Sequence, residues 1–234
     1  NSKVDDNRVT FRTIAGGYGE FDFFKNFTYK LNLQYDYTQE NNKLFVPEYD
    51  LGFFFPNGSA FFEKGMITRT SGLVENTVTY RKTLGKHNLD LLGGVTFQNF
   101  SITDVKARTS QLTEPYVPTL SNGNGTKTVS EVLNKNSLFS LLGRINYNYA
   151  DKYFITANIR RDGSSKFSGD NRYAVFPSIS AAWKLHNEFT MPSFIDELKI
   201  RGGWGKLGNQ AIPNYAFQPT LNSNVTYSFN NTRV

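Results

Sequence analysis

The chain has 234 residues, with 26 Lys and Arg against 20 Asp and Glu, a formal net charge of +6 and a mean hydropathy of -0.46. It lacks cysteine, which excludes a disulfide framework and thiolate metal sites. Its basic residues are scattered, without the dense run or recognition helix of a nucleic-acid binder, so no nucleic-acid partner is expected. No stretch approaches the roughly 18 apolar residues of a membrane helix, and NSKVDDNRVTFR at the start lacks the charged-then-apolar form of a signal peptide.

Alternation of apolar and polar residues then predicts one strand after another. A strand over 9–23 turns near Lys25 and Asn26 into a second over 27–38, where Phe27, Tyr29, Leu31, Leu33, Tyr35 and Tyr37 alternate with Thr28, Lys30, Asn32, Gln34, Asp36 and Thr38. Side chains change face at every strand residue, so this is an apolar sheet face backed by a hydrated one. Strands over 72–84 and 88–103 follow, joined at 85–87, with Leu89, Leu91, Val95 and Phe97 on one face. Residues 138–162 hold the clearest hairpin. Leu141, Ile145, Tyr147 and Tyr149 oppose Arg144, Asn146 and Asn148; past a turn at 150–152, Tyr153, Ile155, Ala157 and Ile159 alternate with Thr156, Asn158 and Arg160. Strands over 173–185 (Val175, Ile179, Ala181, Trp183) and 198–207 come next, with a further one near 225–229.

Several segments reach ten or more residues, where ordinary strands run to about five or six; that is the length needed to cross a bilayer at a tilt. Aromatics make up 15% of the chain, which suits interfacial girdles and, less specifically, a soluble β core. The connections alternate too: tight near 25, 86 and 151, longer and rich in Gly, Asn, Ser and Pro at 39–71, 104–136, 163–172 and 209–224. Short periplasmic turns and long extracellular loops have this asymmetry, which puts Asp151 on the periplasmic side and Gly163 outside. The short side has one exception, 186–197, which is expected to hold a helical turn. The fold class expected is all-β, an antiparallel up-and-down transmembrane β-barrel segment of about eight or nine strands, read as one incomplete domain over 1–234.

On this reading Lys30, Asn32, Gln34, Arg144, Asn146, Asn148, Asn158, Arg160, Lys199 and Arg201 line a lumen. Amides and cations there suit a wet passage for a polar solute, although any water-filled or plugged barrel needs hydrophilic walls. Other motifs carry less. Gly203–Gly208 matches G-x-G-x-x-G, but no amphipathic helix or βαβ unit follows; glycines late in a strand more plausibly permit curvature or close backbone approach. His87 and His186 sit at turns without ligands at metal spacing, and the Asp162–Ser165 stretch with Asp170 lacks the terminal Glu of a calcium loop. No catalytic, cofactor or metal residue is assigned, and an enzyme is not expected.

The order and spacing of Gly143-Arg144 with Tyr147, Asp151-Lys152-Tyr153, Arg161-Asp162-Gly163-Ser164-Ser165 with Phe167, Phe176-Pro177-Ser178, Trp183, and Leu198-Lys199-Ile200-Arg201 ahead of Gly208-Asn209 resemble the barrel of SusC/RagA-type TonB-dependent transporters of Bacteroidetes. The resemblance is good over about 72–215 and weaker over 9–71. It implies an outer-membrane barrel of 22 strands closed by an amino-terminal plug. It also implies energisation through TonB, a SusD-like surface lipoprotein as lid, and import of oligosaccharides or peptides. The chain is then expected to be a piece of a longer polypeptide, whose plug and other strands are its partners together with outer-membrane lipid. Two alternatives stand beside it: a passive porin, and a secreted soluble β-protein binding carbohydrate, which would bury its apolar faces against another sheet.

Overall fold

Period-two alternation becomes a single broad antiparallel sheet. The structure, a computed structural model, describes residues 4–50, 56–114, 117–192, 194–218, 228–229 and 232–233. Its strands are β1 (Asp5–Phe23), β2 (Phe27–Val46), β3 (Tyr49–Asp50), β4 (Pro56–Asn57), β5 (Phe61–Leu84), β6 (His87–Ser110), β7 (Lys127–Tyr149), β8 (Tyr153–Ser164), β9 (Tyr173–Lys184), β10 (Lys199–Gly205), β11 (Ser228–Phe229) and β12 (Thr232–Arg233). Eight of them form one sheet in the order β1-β2-β5-β6-β7-β8-β9-β10, each antiparallel to its neighbour; β3 pairs with β4, and β11 with β12. Each long strand therefore lies beside the next long strand in sequence, the up-and-down arrangement expected. The strand anticipated near 225–229 falls mostly outside the described residues.

Tight turns are made where the backbone can take a positive φ. Gly85 (φ 56°) opens the two-residue loop between Leu84 and His87, a position where glycine carries no Cβ penalty. Phe24 and Asn26 take positive φ between β1 and β2, as do Ala150 and Asp151 between β7 and β8. At the last of these, the Asn148 side chain accepts the Asp151 backbone N–H at 3.1 Å and Lys152 N–H reaches Tyr149 C=O at 3.0 Å. The longer connection between β9 and β10 begins with a single 3-10 turn, Leu185–Asn187.

The structure corrects the strand bounds at the other end. β2 runs to Val46 and β5 starts at Phe61, so the connection read as 39–71 shrinks to 47–60 around the short β3–β4 pair. Likewise β6 ends at Ser110 and β7 begins at Lys127, leaving 111–126 where 104–136 was expected. In β6 the apolar phase inverts at Phe100 and Ile102, and Lys127–Asn136 mix polar and apolar side chains on both faces, so the period is broken although the hydrogen-bond ladder continues. β5 and β6 reach 24 residues each, roughly 80 Å at about 3.3 Å per residue. A tilted crossing uses about 9–11 residues, so more than half of each strand extends beyond a bilayer at the long-loop end.

The sheet has no packed core of its own. Among the described residues only Pro47, Ala60 and Phe62 are buried apolar side chains, whereas Ile145, Ile159 and Ile179 keep about half of their surface exposed (49%, 56% and 51%). No second sheet covers them among the described residues, because the other two sheets are two-stranded. A soluble sandwich would bury this face, so the arrangement favours an external apolar solvent.

Candidate functional site

Register decides which residues share a face. Phe27, Tyr80, Leu91, Ile145, Ala157, Ile179 and Trp204 are successive partners across seven strands; Tyr29, Val78, Gly93, Gly143, Ile159 and Pro177 form the adjoining row. On β7 this apolar face runs from Phe139 to Tyr149, about 25 Å along the normal at roughly 40° tilt, matching the ~25 Å apolar band of outer-membrane barrels.

Aromatic rings border the band at both ends. At the tight-turn end, ring contacts join Phe23 to Phe27 (5.6 Å) and Phe27 to Tyr80 (4.7 Å), then His87 to Tyr149 (4.8 Å), Tyr149 to Tyr153 (6.3 Å) and Tyr153 to Trp183 (6.0 Å). Glu188, in the β9–β10 connection, accepts hydrogen bonds from Tyr153 OH (2.6 Å) and Trp183 Nε1 (2.9 Å). These two donors hold its carboxyl below the usual glutamate range. At the other end Tyr35, Phe97, Phe139 and Tyr173 lie on the same face. The Tyr173 ring covers Gly163, and the Arg161 guanidinium lies over that ring at 4.6 Å.

The opposite face carries the hydrophilic residues. Lys30, Asn32 and Gln34 on β2, Arg144, Asn146 and Asn148 on β7, Asn158 and Arg160 on β8, and Lys199 and Arg201 on β10 all fall on it by register. Four of them, Arg144, Asn146, Asn158 and Arg160, make hydrogen bonds to neighbours on this face in the middle of β7 and β8. Arg144 Nε donates to Asn158 Oδ1 at 2.7 Å, Asn158 Nδ2 donates to Ser178 Oγ at 3.1 Å, and Thr156 Oγ1 donates to Asn146 Oδ1 at 2.9 Å. Arg160 donates to Asp162 at 2.6 Å and to the fully buried Ser140 hydroxyl at 3.0 Å. Asn148 is spent on the turn, and the three β2 residues stand apart, with β5 and β6 between them and β7.

The set of lumen residues read from sequence left out the carboxylates that pair with cations on this face, although the alternation of β2 already placed Asp36 there. Asp90 pairs with Arg81 at 3.1 Å and accepts a long 3.5 Å hydrogen bond from Asn146; Asp36 pairs with Arg12 at 2.5 Å; Glu40 lies between Arg8 and Arg69, 3.4 Å from each. Their signal was present as acids at face positions opposite cations, but it needs the pairing register to be seen. The glycines of the G-x-G-x-x-G match serve close approach: a Cβ at Gly203 or Gly205 would come within 3.1 or 3.0 Å of Ser180 or Ser178 Cβ, and Phe176 covers Gly208. His87 Nδ1 meets Tyr147 OH at 2.7 Å, and His186 Nδ1 meets the Leu198 backbone.

A family model described as TonB dependent receptor-like, beta-barrel, matches residues 1–233. The chain belongs to the TonB-dependent receptor β-barrel family. Among curated relatives of this barrel domain, TonB-dependent receptor P3 of Formosa agariphila is 36% identical over 219 residues, covering 91% of this chain and 21% of the relative. TonB-dependent receptor SusC of Bacteroides thetaiotaomicron is 33% identical over 157 residues, 64% of this chain and 15% of the relative. The TonB-dependent receptor barrel here thus spans about a fifth or less of these relatives. In structure it is similar to a chain of the RagAB peptide transporter, with a TM-score of 0.83 at 20% identity, covering 98% of this chain and 26% of that one, a likeness of fold.

Proposed function

We propose that this sheet is a section of the wall of an outer-membrane importer, with its apolar face against lipid and its polar face toward a water-filled or plugged lumen. The observation that carries the reading is the sorting by register, to which Asn76 and Arg161 on the apolar face are exceptions. All ten hydrophilic residues occupy the face opposite a girdled apolar band of membrane thickness. Lys30, Asn32, Gln34, Arg144, Asn146, Asn148, Asn158, Arg160, Lys199 and Arg201 then line the passage. The strands projecting past the band form a rim at the cell surface.

Family membership supports active import energised through TonB. The likeness to SusC and to the RagAB fold supports a SusD-like lipoprotein partner and a solute of oligosaccharide or peptide class. Uptake of fluorescent oligosaccharides and oligopeptides by cells carrying the whole receptor tests this. Import that stops when the proton-motive force is collapsed, or when TonB is deleted, agrees with the proposal. Uptake that persists under both conditions would instead indicate a passive porin.

A further inference from the structure

Two polar side chains interrupt the apolar face, and the structure treats them differently. Both stand in one row across the sheet, where Leu31, Asn76, Val95, Leu141, Arg161 and Val175 are successive partners. Asn76 is satisfied within the wall, because Tyr29 OH donates to its Oδ1. Arg161 is held in another way. It lies two residues below Gly163, about 5 Å beneath the aromatic border of Phe139 and Tyr173 at about 3.3 Å per residue and roughly 40° tilt. A cation on a lipid-facing side is costly at mid-depth and cheap at the interface, which draws the side chain toward the border. The guanidinium accordingly lies over the Tyr173 ring at 4.6 Å, and that ring rests on Gly163, where no Cβ intervenes. Its neighbour Arg160, on the other face, is paired with Asp162; among the described residues no side chain accepts from Arg161, although β7 and β9 flank it on both sides. The outward row beyond the border, Gly72, Asn99 and Ser137, is small or polar, as headgroup depth requires.

We propose that Arg161, stacked on Tyr173, binds a phosphate group of an outer-leaflet glycolipid and holds that lipid against β8 and β9. The proposal rests on the apolar face meeting lipid and on the long-loop end lying at the cell surface. Stacking occupies one flat face of the guanidinium and leaves the N–H groups along its edge free. That planar fork matches two oxygens of a single phosphate. The ring also fixes the long side chain in place, so little of its freedom remains to be lost on binding. Below it Leu141, Ile159 and Val175 are exposed on the same face and offer an apolar surface to acyl chains of the same molecule. A phosphate site at the border with an apolar wall beneath it fits a phosphorylated lipid, whereas a free anion would use only the upper half. Its place at the long-loop end selects the outer leaflet, whose anionic headgroups are glycolipid phosphates.

The test uses the full receptor, purified in detergent, stripped of bound lipid and read by native mass spectrometry. It is titrated with diphosphoryl lipid A, with the same lipid A after chemical dephosphorylation, and with phosphatidylglycerol. A preference of at least fivefold for diphosphoryl lipid A over each of the others is expected, lost in Arg161→Gln and kept in Arg81→Gln on the opposite face. Glutamine at 161 takes a charge out of an apolar row, so folding is not put at risk. Equal binding of the dephosphorylated form, equal binding of phosphatidylglycerol, or a preference that survives Arg161→Gln overturns the proposal. In native outer membranes, photo-cross-linking from Val175→benzoylphenylalanine reads the lipid-facing assignment separately. If that position cross-links to lipid while the lipid A preference is absent, only the phosphate site is lost. If it cross-links to polypeptide alone, the lipid-facing reading fails and the phosphate site with it.

Discussion

Glu188 shows how a single carboxylate fastens a connection to the membrane-facing girdle. It accepts from Tyr153 OH and Trp183 Nε1, while Phe189 packs edge-on against Trp183 at 5.9 Å. Its folded-state pKa is lowered, first by Tyr153 and then by Trp183, so its contribution is complete above the ordinary value of 4.5 and is lost as pH falls through the depressed folded value. Thermal unfolding of the detergent-solubilised receptor is therefore expected to show Glu188→Gln less stable than the parent at pH 7, with the gap closing in acid. A gap independent of pH would contradict the carboxylate's role. Asp151 acts in the same direction, held low by Lys184 first, and it accepts from Asn187 as well. By contrast Asp90→Asn removes an ion pair with an exposed guanidinium, and a change within about 1 kcal/mol is expected on the same assay.

At the scale of the strand, parity carries the argument. Ile159 and Asn158 are neighbours in sequence and opposites in environment, so Ile159→Arg is expected to cost about 2–4 kcal/mol in lipid and Asn158→Arg far less. Equal costs, measured by denaturant unfolding in lipid vesicles, would mean that the faces are misassigned. Gly163 adds a packing case. A Cβ there would strike the Tyr173 ring, so Gly163→Val is expected to lose about 1–3 kcal/mol by displacing that ring, and Gly163→Val with Tyr173→Ala is expected to cost less than the two changes summed. The same parity made the membrane-crossing halves of β2, β7 and β8 legible in sequence, because Tyr and Ile alternate there with Asn and Arg. It also made legible that the ten hydrophilic residues share one face. The outer halves of β5, β6 and β7 were hidden: around Lys64 and Lys135 polar and apolar side chains mix on both faces, and in β6 Phe100 and Ile102 invert the phase, so no single period runs through them. The ion pairs were equally hidden, since they exist only once strands are placed side by side.

For the whole molecule, the central claim is that one face of this sheet meets lipid and the other meets water. The sheet's scarcity of buried apolar side chains, its two aromatic borders and its membership of the TonB-dependent receptor family bear on that claim independently. Because this chain contains no cysteine, single cysteines can be introduced along it one at a time. The most direct measurement is a cysteine scan through 144–148 and 155–160 in the full receptor, in permeabilised outer-membrane fragments, read with a charged thiol reagent. The account predicts a two-residue rhythm, with Arg144, Asn146, Asn148, Thr156, Asn158 and Arg160 positions labelled wherever water reaches them, and Ile145, Tyr147, Ile155, Ala157 and Ile159 positions protected by lipid. Labelling without that rhythm, or with its phase inverted, would contradict it.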